Sequence, residues 1–111
     1  GAAKWFHGDV AAGNLLLIDG GLAAVIDFGT CGVGDPSCDL AVAWTLLTAN
    51  GRHAFGDRLS VGAAAWARGR GWALWKTLAA CARDVRNANK ESANAWRILG
   101  EIFAEYEAFG R

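Results

Sequence analysis

Two short apolar runs joined by Asp19-Gly20-Gly21 constrain the fold of this chain more than any other feature. The runs are residues 15–18 and 22–26. Asp-Gly and Gly-Gly pairs supply the positive φ angles of tight turns, so the segment predicts an antiparallel β-hairpin. Antiparallel pairing would bring the two ends of the hairpin together, with Asn14 at one end and Asp27 at the other.

The polar residues around this hairpin have the spacing of a phosphoryl-transfer site. Asn14 follows Asp9 by five positions, and Asp27 is followed by Phe28-Gly29. This order resembles phosphotransferases of the protein-kinase type, which use a catalytic-loop Asp, an Asn five positions later, and a second Asp before Phe-Gly. A hydroxyl nucleophile needs a carboxylate for its proton, and a transferring phosphate needs Mg²⁺ held by oxygen ligands. The resemblance implies that Asp9 is catalytic and that Asn14 and Asp27 hold Mg²⁺.

A third phrase, Gly34-Asp35-Pro36-Ser37-Cys38-Asp39-Leu40-Ala41, extends the resemblance. With residues 5–16 and 25–29, it resembles aminoglycoside phosphotransferases and related small-molecule kinases in order and spacing. That family carries His-Gly-Asp, as here at residues 7–9, where protein kinases usually carry His-Arg-Asp. The resemblance implies that Asp39 supports the catalytic loop through backbone N–H groups, although it could simply be a partner of the helix dipole. It also implies that His7 is a structural hydrogen-bonding residue of the loop and not a base.

The resemblance also implies what this chain does not contain. Kinase-like enzymes place a Gly-rich phosphate loop and a strand Lys upstream of the catalytic loop. Here that loop begins at residue 7, and no such glycine pattern followed by a strand Lys occurs downstream. We therefore expect residues 1–111 to form a single domain that resembles the carboxy-terminal lobe of a two-lobed kinase, with the amino-terminal nucleotide-binding lobe absent.

The activity expected from this resemblance belongs to a parent enzyme. That enzyme would transfer the γ-phosphate of ATP or GTP to a hydroxyl group of a small molecule, such as an aminoglycoside. The expected partners of the chain are this small-molecule acceptor and the missing lobe. We expect the isolated chain to be inactive or nearly so, because positioning and charge neutralisation in this reaction need both lobes.

Composition narrows the possible partners and location. The chain has 11 Lys and Arg against 11 Asp and Glu, so it lacks the basic excess typical of nucleic-acid binding. No apolar run reaches the roughly 18 residues of a transmembrane helix, so we expect no membrane partner. Three cysteines without a Cys-x-x-Cys pair indicate small buried residues in a reducing compartment. These features favour a cytoplasmic location.

The remaining sequence predicts helices, which gives a mainly α, α+β fold with the hairpin packed on a helical bundle. Asp35 and Pro36 predict the N-cap and first residue of a buried helix that runs to about Thr48 and is closed by Gly51. Three further segments are predicted: a short one at 55–59, a long one at 63–87 that Gly69 and Gly71 could divide, and a last amphipathic helix from Ser92.

Tryptophans and glutamates of the helical part each allow two interpretations. Four tryptophans recur at helical spacing, which favours core packing over a stacking surface for a sugar ring. They are Trp66, Trp72, Trp75 and Trp96. Because the resemblance is to enzymes that hold polycationic aminoglycosides with carboxylates, Glu101 and Glu105 are candidate substrate-binding residues. A solvated helix face is the favoured account of both.

Two other functional classes are compatible with the residues. A non-catalytic kinase-like module would bind a partner or self-associate through the face that the missing lobe would cover. A metal-dependent phosphoesterase would also place Asp, Asn and His near a strand end. Such sites normally gather several His ligands, and the chain has only two His residues, so the phosphoesterase is the least favoured class.

Overall fold

The computed structural model describes residues 3–84 and 90–109 of the chain. The strands in these ranges are β1 (Lys4–Phe6), β2 (Leu15–Ile18), β3 (Gly21–Val25) and β4 (Gly32–Gly34). The α-helices are α1 (Val42–Thr45), α2 (Ala49–Leu59), α3 (Ala63–Asp84) and α4 (Lys90–Phe109), and 3₁₀ helices span Ala12–Asn14 and Pro36–Ala41. The predicted mainly helical α+β fold with a small hairpin is confirmed.

The predicted hairpin is formed by β2 and β3. The strands pair antiparallel, with Leu15 opposite Val25. Asp19 and Gly20 form the turn with φ angles of 51° and 79°, and two successive positive angles are those of a type I′ turn. Past the open end of the hairpin, the Ile26 N–H donates to the Asn14 carbonyl at 2.9 Å. The backbone at Asn14 is therefore held next to the residue that precedes Asp27.

A second antiparallel pair, β1 with β4, connects the two loops that flank the hairpin. Phe6 lies opposite Gly32 in this pair. A Cβ atom at Gly32 would lie 2.8 Å from Cζ of Phe6, so a side chain at this position would have to displace the aromatic ring. The pair ties the start of the His7-Gly8-Asp9 loop to the chain that follows Asp27-Phe28-Gly29.

The core lies where the 3₁₀ helix Pro36–Ala41 and α1 meet α3 and α4. Asp35 is the N-cap, as predicted, and its carboxylate accepts from the Ser37 N–H at 3.0 Å. Trp44 is fully buried, and its ring centroid lies 4.7 Å from that of Trp66. Residues from α3 and α4 complete the buried cluster around them: Ala73, Ile98 and Ile102.

The predicted buried helix is correct in position but too long. It begins as 3₁₀ turns and its α-helical part ends at Thr45. The Thr48 side chain accepts from the Gly51 N–H at 3.3 Å, which makes Thr48 the N-cap of a new helix. Gly51 therefore lies inside α2 and does not close the preceding helix, and the short segment predicted at 55–59 is the second half of α2.

Gly69 and Gly71, which could have divided the long helix, do not do so, because α3 is continuous from Ala63 to Asp84. The predicted end of this helix near residue 87 lies outside the described residues. Gly69 serves packing: a Cβ atom there would lie 2.6 Å from Cβ of Leu40 and 3.2 Å from the Ser37 carbonyl oxygen. The missing side chain lets α3 lie directly against the 3₁₀ helix Pro36–Ala41.

No helix in the described ranges is long and apolar enough to cross a bilayer.

The prediction that most tryptophans pack in the core is also wrong. Trp72, Trp75 and Trp96 are 43%, 63% and 60% exposed, whereas Trp66 packs against the core. Apart from Arg70, the buried residues described in α3 are small and lie four positions apart: Gly69, Ala73, Thr77 and Cys81. Because small residues allow close helix contact, they face the core and the large side chains of α3 lie to either side.

Candidate active site

Asp39 holds the loop at His7-Gly8-Asp9 by its backbone. One carboxylate oxygen, Oδ2, accepts from the His7 N–H at 2.7 Å, and Oδ1 accepts from the Gly8 N–H at 2.8 Å. Asp39 itself is fixed by its place in the 3₁₀ helix Pro36–Ala41, on which α3 packs. These are the contacts that the sequence resemblance implies for Asp39, and the effect of Asp39 on catalysis stays a prediction.

Gly8 is required by the shape of this loop. Its φ angle is +94°, and a Cβ atom would lie 2.4 Å from the Thr30 carbonyl oxygen. The Thr30 hydroxyl also donates to the His7 carbonyl at 3.3 Å. The segment after Asp27-Phe28-Gly29 thus lies directly against the loop, and a residue with a side chain at position 8 would separate the two.

His7 bridges the two predicted functional loops. A backbone N–H can only donate, so the Asp9 N–H donates to Nδ1 of His7 at 3.1 Å and the ring hydrogen lies on Nε2. Nε2 in turn donates to the Ile26 carbonyl at 2.8 Å. The residue is 7% exposed, and its ring lies edge-on to Phe28, with centroids 4.5 Å apart. Both ring nitrogens are engaged, which supports a structural role and not one as a base.

The Asp9 carboxylate is open to solvent and has an ordered neighbour in Asn14. The Asn14 amide group donates from Nδ2 to the Asp9 carbonyl at 2.9 Å and to Oδ2 of Asp9 at 3.2 Å. The Asp9 side chain is 45% exposed. A carboxylate that is held in place by its neighbours and is still partly exposed can accept a proton from a bound hydroxyl group.

Asp27 has a backbone conformation that few residues adopt. Its φ angle is +60°, in the left-handed region where Asp and Asn are more tolerated than other non-glycine residues. One carboxylate oxygen accepts from the Gly29 N–H at 3.3 Å, and the residue is exposed. Left-handed residues of this kind cluster at functional sites, since the surrounding structure must hold them there.

The donor set at Asn14 and Asp27 fits Mg²⁺. Because Nδ2 of Asn14 is used on Asp9, the amide oxygen is left as a possible metal ligand, and Asp27 supplies carboxylate oxygens. Within residues 3–84 and 90–109, no group of three or more His, Cys, Asp or Glu side chains could hold a metal ion. Two protein oxygens are enough for Mg²⁺, which usually completes its shell with water and substrate phosphates.

Comparisons with known proteins show the family of this chain. A model of the phosphotransferase enzyme family matches residues 1–75, which is more than half of the chain. The chain belongs to the phosphotransferase enzyme family. An aminoglycoside 3′-phosphotransferase from Escherichia coli is 44% identical over 41 residues, which cover 37% of this chain and 15% of that enzyme. No solved structure matches the chain significantly.

In this phosphotransferase-family chain, Glu101 and Glu105 each form an ion pair with an arginine of a neighbouring helix. Glu105 accepts from Nη1 of Arg70 and from Nε1 of Trp44, each at 2.8 Å. Glu101 accepts from Nη2 of Arg52 at 3.3 Å and also pairs with Arg97. The favoured expectation of a solvated face is therefore wrong for Glu105, whose side chain is 12% exposed. Both glutamates line a cavity of about 700 Å³ between α2, α3 and α4, so binding of a cationic acceptor stays a prediction.

One residue next to Asp9 is not indicated by any pattern in the sequence. Lys76, near the middle of α3, places Nζ 3.7 Å from Oδ1 of Asp9. Lys76 is not part of any motif. It follows Trp75 in a segment whose apolar pattern predicts only a helix. The pair arises because α3 packs across the 3₁₀ helix that carries Asp39, and sequence spacing does not report such a long-range contact.

Proposed function

We propose that these residues form the phosphoryl-transfer site of a small-molecule kinase. Asp9 is the catalytic residue, Asn14 and Asp27 are the Mg²⁺ ligands, and His7 and Asp39 support the catalytic loop. The observation that carries the proposal is the placement of Asn14 and Asp27 at the open end of one hairpin, with the Asn14 amide bonded to Asp9. The donor is ATP or GTP, and the acceptor is a hydroxyl group of a small molecule such as an aminoglycoside.

The proposed step is an in-line displacement. The acceptor oxygen forms a bond to the γ-phosphorus, the bond from that phosphorus to the bridging oxygen breaks, and the nucleoside diphosphate leaves. Asp9 accepts or orients the hydroxyl proton, while Asn14 keeps its carboxylate in place. Mg²⁺, when bound, would neutralise charge on the phosphate oxygens. The Asp39 and His7 contacts restrict the loop, and such restriction matters because most catalysis in this reaction class is positioning.

The nucleotide-binding lobe is part of this proposal. A glycine-rich loop and a strand lysine normally cover the phosphates, and neither occurs in the sequence described above. We infer that the chain acts together with such a lobe, that it is inactive by itself, and that the enzyme works in the cytoplasm, where nucleotide is available and the three cysteines stay as free thiols.

Transfer of labelled γ-phosphate tests the proposal. The full-length protein that carries this chain would be incubated with Mg²⁺ and labelled ATP or GTP, and with kanamycin, which has a 3′-hydroxyl group, or tobramycin, which lacks one. We expect label on an acceptor and a loss of about 100-fold or more in Asp9→Asn. Asp19→Asn is the matched control, because it removes the same charge at the hairpin turn. Equal transfer by wild type and Asp9→Asn would contradict the assignment of Asp9.

One observation favours a second function, that of a binding or self-associating module. Apolar side chains are exposed on the hairpin and on β1: Trp5, Leu17, Ile18 and Leu22 are 77%, 67%, 67% and 61% exposed. Exposed apolar surface of this kind often marks an interaction site. In the kinase proposal the nucleotide-binding lobe covers this face. In the module proposal a partner or a second copy covers it.

Sedimentation velocity of the chain and of Leu17→Glu separates the two functions. The module is favoured if the chain sediments as a dimer, Leu17→Glu sediments as a monomer, and the full-length protein transfers no phosphate. A monomer at all concentrations, together with phosphoryl transfer by the full-length protein, would exclude self-association.

A further inference from the structure

The two oxygens of the Asp9 carboxylate have different partners. Oδ2 accepts from the Asn14 amide at 3.2 Å, and Oδ1 lies 3.7 Å from Nζ of Lys76. Among the described side chains, Lys76 is the lysine or arginine that pairs with Asp9. The carboxylate is thus held from two sides, by a neutral amide of its own loop and by a cation from α3.

The position of Lys76 is fixed by the same packing that fixes the loop. Gly69 lets α3 lie against the 3₁₀ helix Pro36–Ala41, and Asp39 in that 3₁₀ helix holds the backbone at His7 and Gly8. The neighbours of Lys76 in α3 are anchored, since Ala73 is fully buried and the buried Thr77 hydroxyl donates to the Ala73 carbonyl at 2.7 Å. The Lys76 side chain is only 29% exposed.

This arrangement differs from an ordinary surface ion pair. Exposed pairs between flexible side chains contribute little, because both side chains lose conformational freedom in forming them. Here the Lys76 side chain is largely covered and extends from a helix already packed on the loop support. Its ammonium group ends beside the carboxylate that must meet the acceptor hydroxyl.

We propose that Lys76 is a positioning residue for phosphoryl transfer, which fixes Oδ1 of Asp9 and places a positive charge beside the reacting atoms. This inference rests on the proposed function. Asp9 must lie about 2.6–3.2 Å from the acceptor oxygen to receive its proton. A cation held at Asp9 therefore lies close to the phosphoryl group as charge develops on it, where a preorganised charge is most effective.

Kinetics of variants in the full-length protein test the role of Lys76. With kanamycin and Mg²⁺·ATP, we expect Lys76→Gln to lower kcat by about 10- to 100-fold, as expected of a displaced reacting group, with KM for ATP nearly unchanged. Lys76→Arg should recover most of the lost kcat, because it restores the cation. Arg58→Gln removes a positive charge from an exposed position in the last turn of α2 and should leave kcat unchanged.

A zero-length carbodiimide cross-link tests the ion pair separately from activity. We expect mass spectrometry to find an amide between Lys76 and Asp9 in the wild type, and to lose it in Lys76→Arg and Asp9→Asn. The inference would be overturned if the wild type formed no cross-link. It would also be overturned if Lys76→Gln had an unchanged kcat, or differed from the wild type only in KM. A wild type that forms the cross-link but turns over no ATP would instead overturn the proposed function, and with it the role of Lys76.

Discussion

At the scale of single residues, the candidate site depends on backbone conformations that few side chains permit. Gly8 and Asp27 both have positive φ angles. Their loops are joined by two hydrogen bonds, from the His7 ring to the Ile26 carbonyl and from the Thr30 hydroxyl to the His7 carbonyl. The sequence identified both positions by their motifs. It could not show why glycine stands between His7 and Asp9, because the close contact with Thr30 is formed only in the folded chain.

Gly8→Ala should destabilise the loop. The new methyl group would meet the Thr30 carbonyl oxygen at 2.4 Å, and the positive φ angle alone costs a side-chain-bearing residue about 1–3 kcal/mol. Urea unfolding should show a loss of at least this size. Gly13→Ala is the matched control, since a Cβ atom there has no neighbour within 4 Å. Equal stability of the two variants would contradict this account of the loop.

Asp35 should make stability depend on pH in the acid range. The Ser37 hydroxyl and then the Ser37 N–H lower the pKa of Asp35 from 3.8 to about 2, and Arg68 acts in the same direction. Because the pKa is lower in the folded chain, the stabilisation is present above pH 3.8 and is lost as the pH falls through 2. Melting temperatures should therefore differ between wild type and Asp35→Asn at pH 6 and converge near pH 2. A difference in melting temperature that does not change with pH would contradict the lowered pKa of Asp35.

At the scale of elements, sequence patterns predicted what local chemistry determines. The hairpin followed from Asp19-Gly20, and the start of the buried segment followed from the Asp35 cap, and both are confirmed. The carboxy-terminal end of the buried helix was predicted wrongly, and the possible division of α3 at Gly69 and Gly71 does not occur. In those places, the cap at Thr48 and the close approach at Gly69 outweigh the usual helix-ending tendency of glycine.

Two glycines of α3 should respond to alanine in opposite ways. Gly69→Ala would force a methyl group to within 2.6 Å of Leu40 and should destabilise the fold by about 1–3 kcal/mol, as overpacking does. Gly71 is exposed and a Cβ atom there has no neighbour within 4 Å, so Gly71→Ala should stabilise the helix by about 0.5–1 kcal/mol. Chemical denaturation measures both. Stabilisation by both variants would show that α3 does not pack as described.

At the scale of the whole molecule, an ion-pair network joins α2, α3 and α4 around Trp44. Glu105 lies at its centre, with Arg70 at 2.8 Å, Arg52 at 4.0 Å and the Trp44 indole N–H at 2.8 Å. The sequence suggested only a solvated or substrate-binding face for this glutamate. Neither this network nor the Lys76–Asp9 pair could be predicted, because the partners lie far apart in sequence and no motif or spacing relates them.

Glu105→Gln should destabilise the molecule by about 2 kcal/mol, the usual effect of losing charge-assisted hydrogen bonds in a covered position. Glu107→Gln, on the exposed side of the same helix, should change stability by less than about 0.5 kcal/mol. Thermal unfolding followed by circular dichroism compares the two variants. A similar effect of both would contradict the structural role of Glu105 in this network.

The most direct test of the central claim is whether Asp27 holds the metal of a nucleotide site. We would titrate a non-hydrolysable ATP analogue into the full-length protein by calorimetry, with and without Mg²⁺. Asp27→Asn keeps a residue that tolerates a positive φ angle, and Asp19→Asn makes the same change at a hairpin position with a φ angle of 51°. The account predicts that Mg²⁺-dependent binding persists in wild type and Asp19→Asn and is lost in Asp27→Asn. Equal Mg²⁺-dependent binding by all three proteins would contradict it.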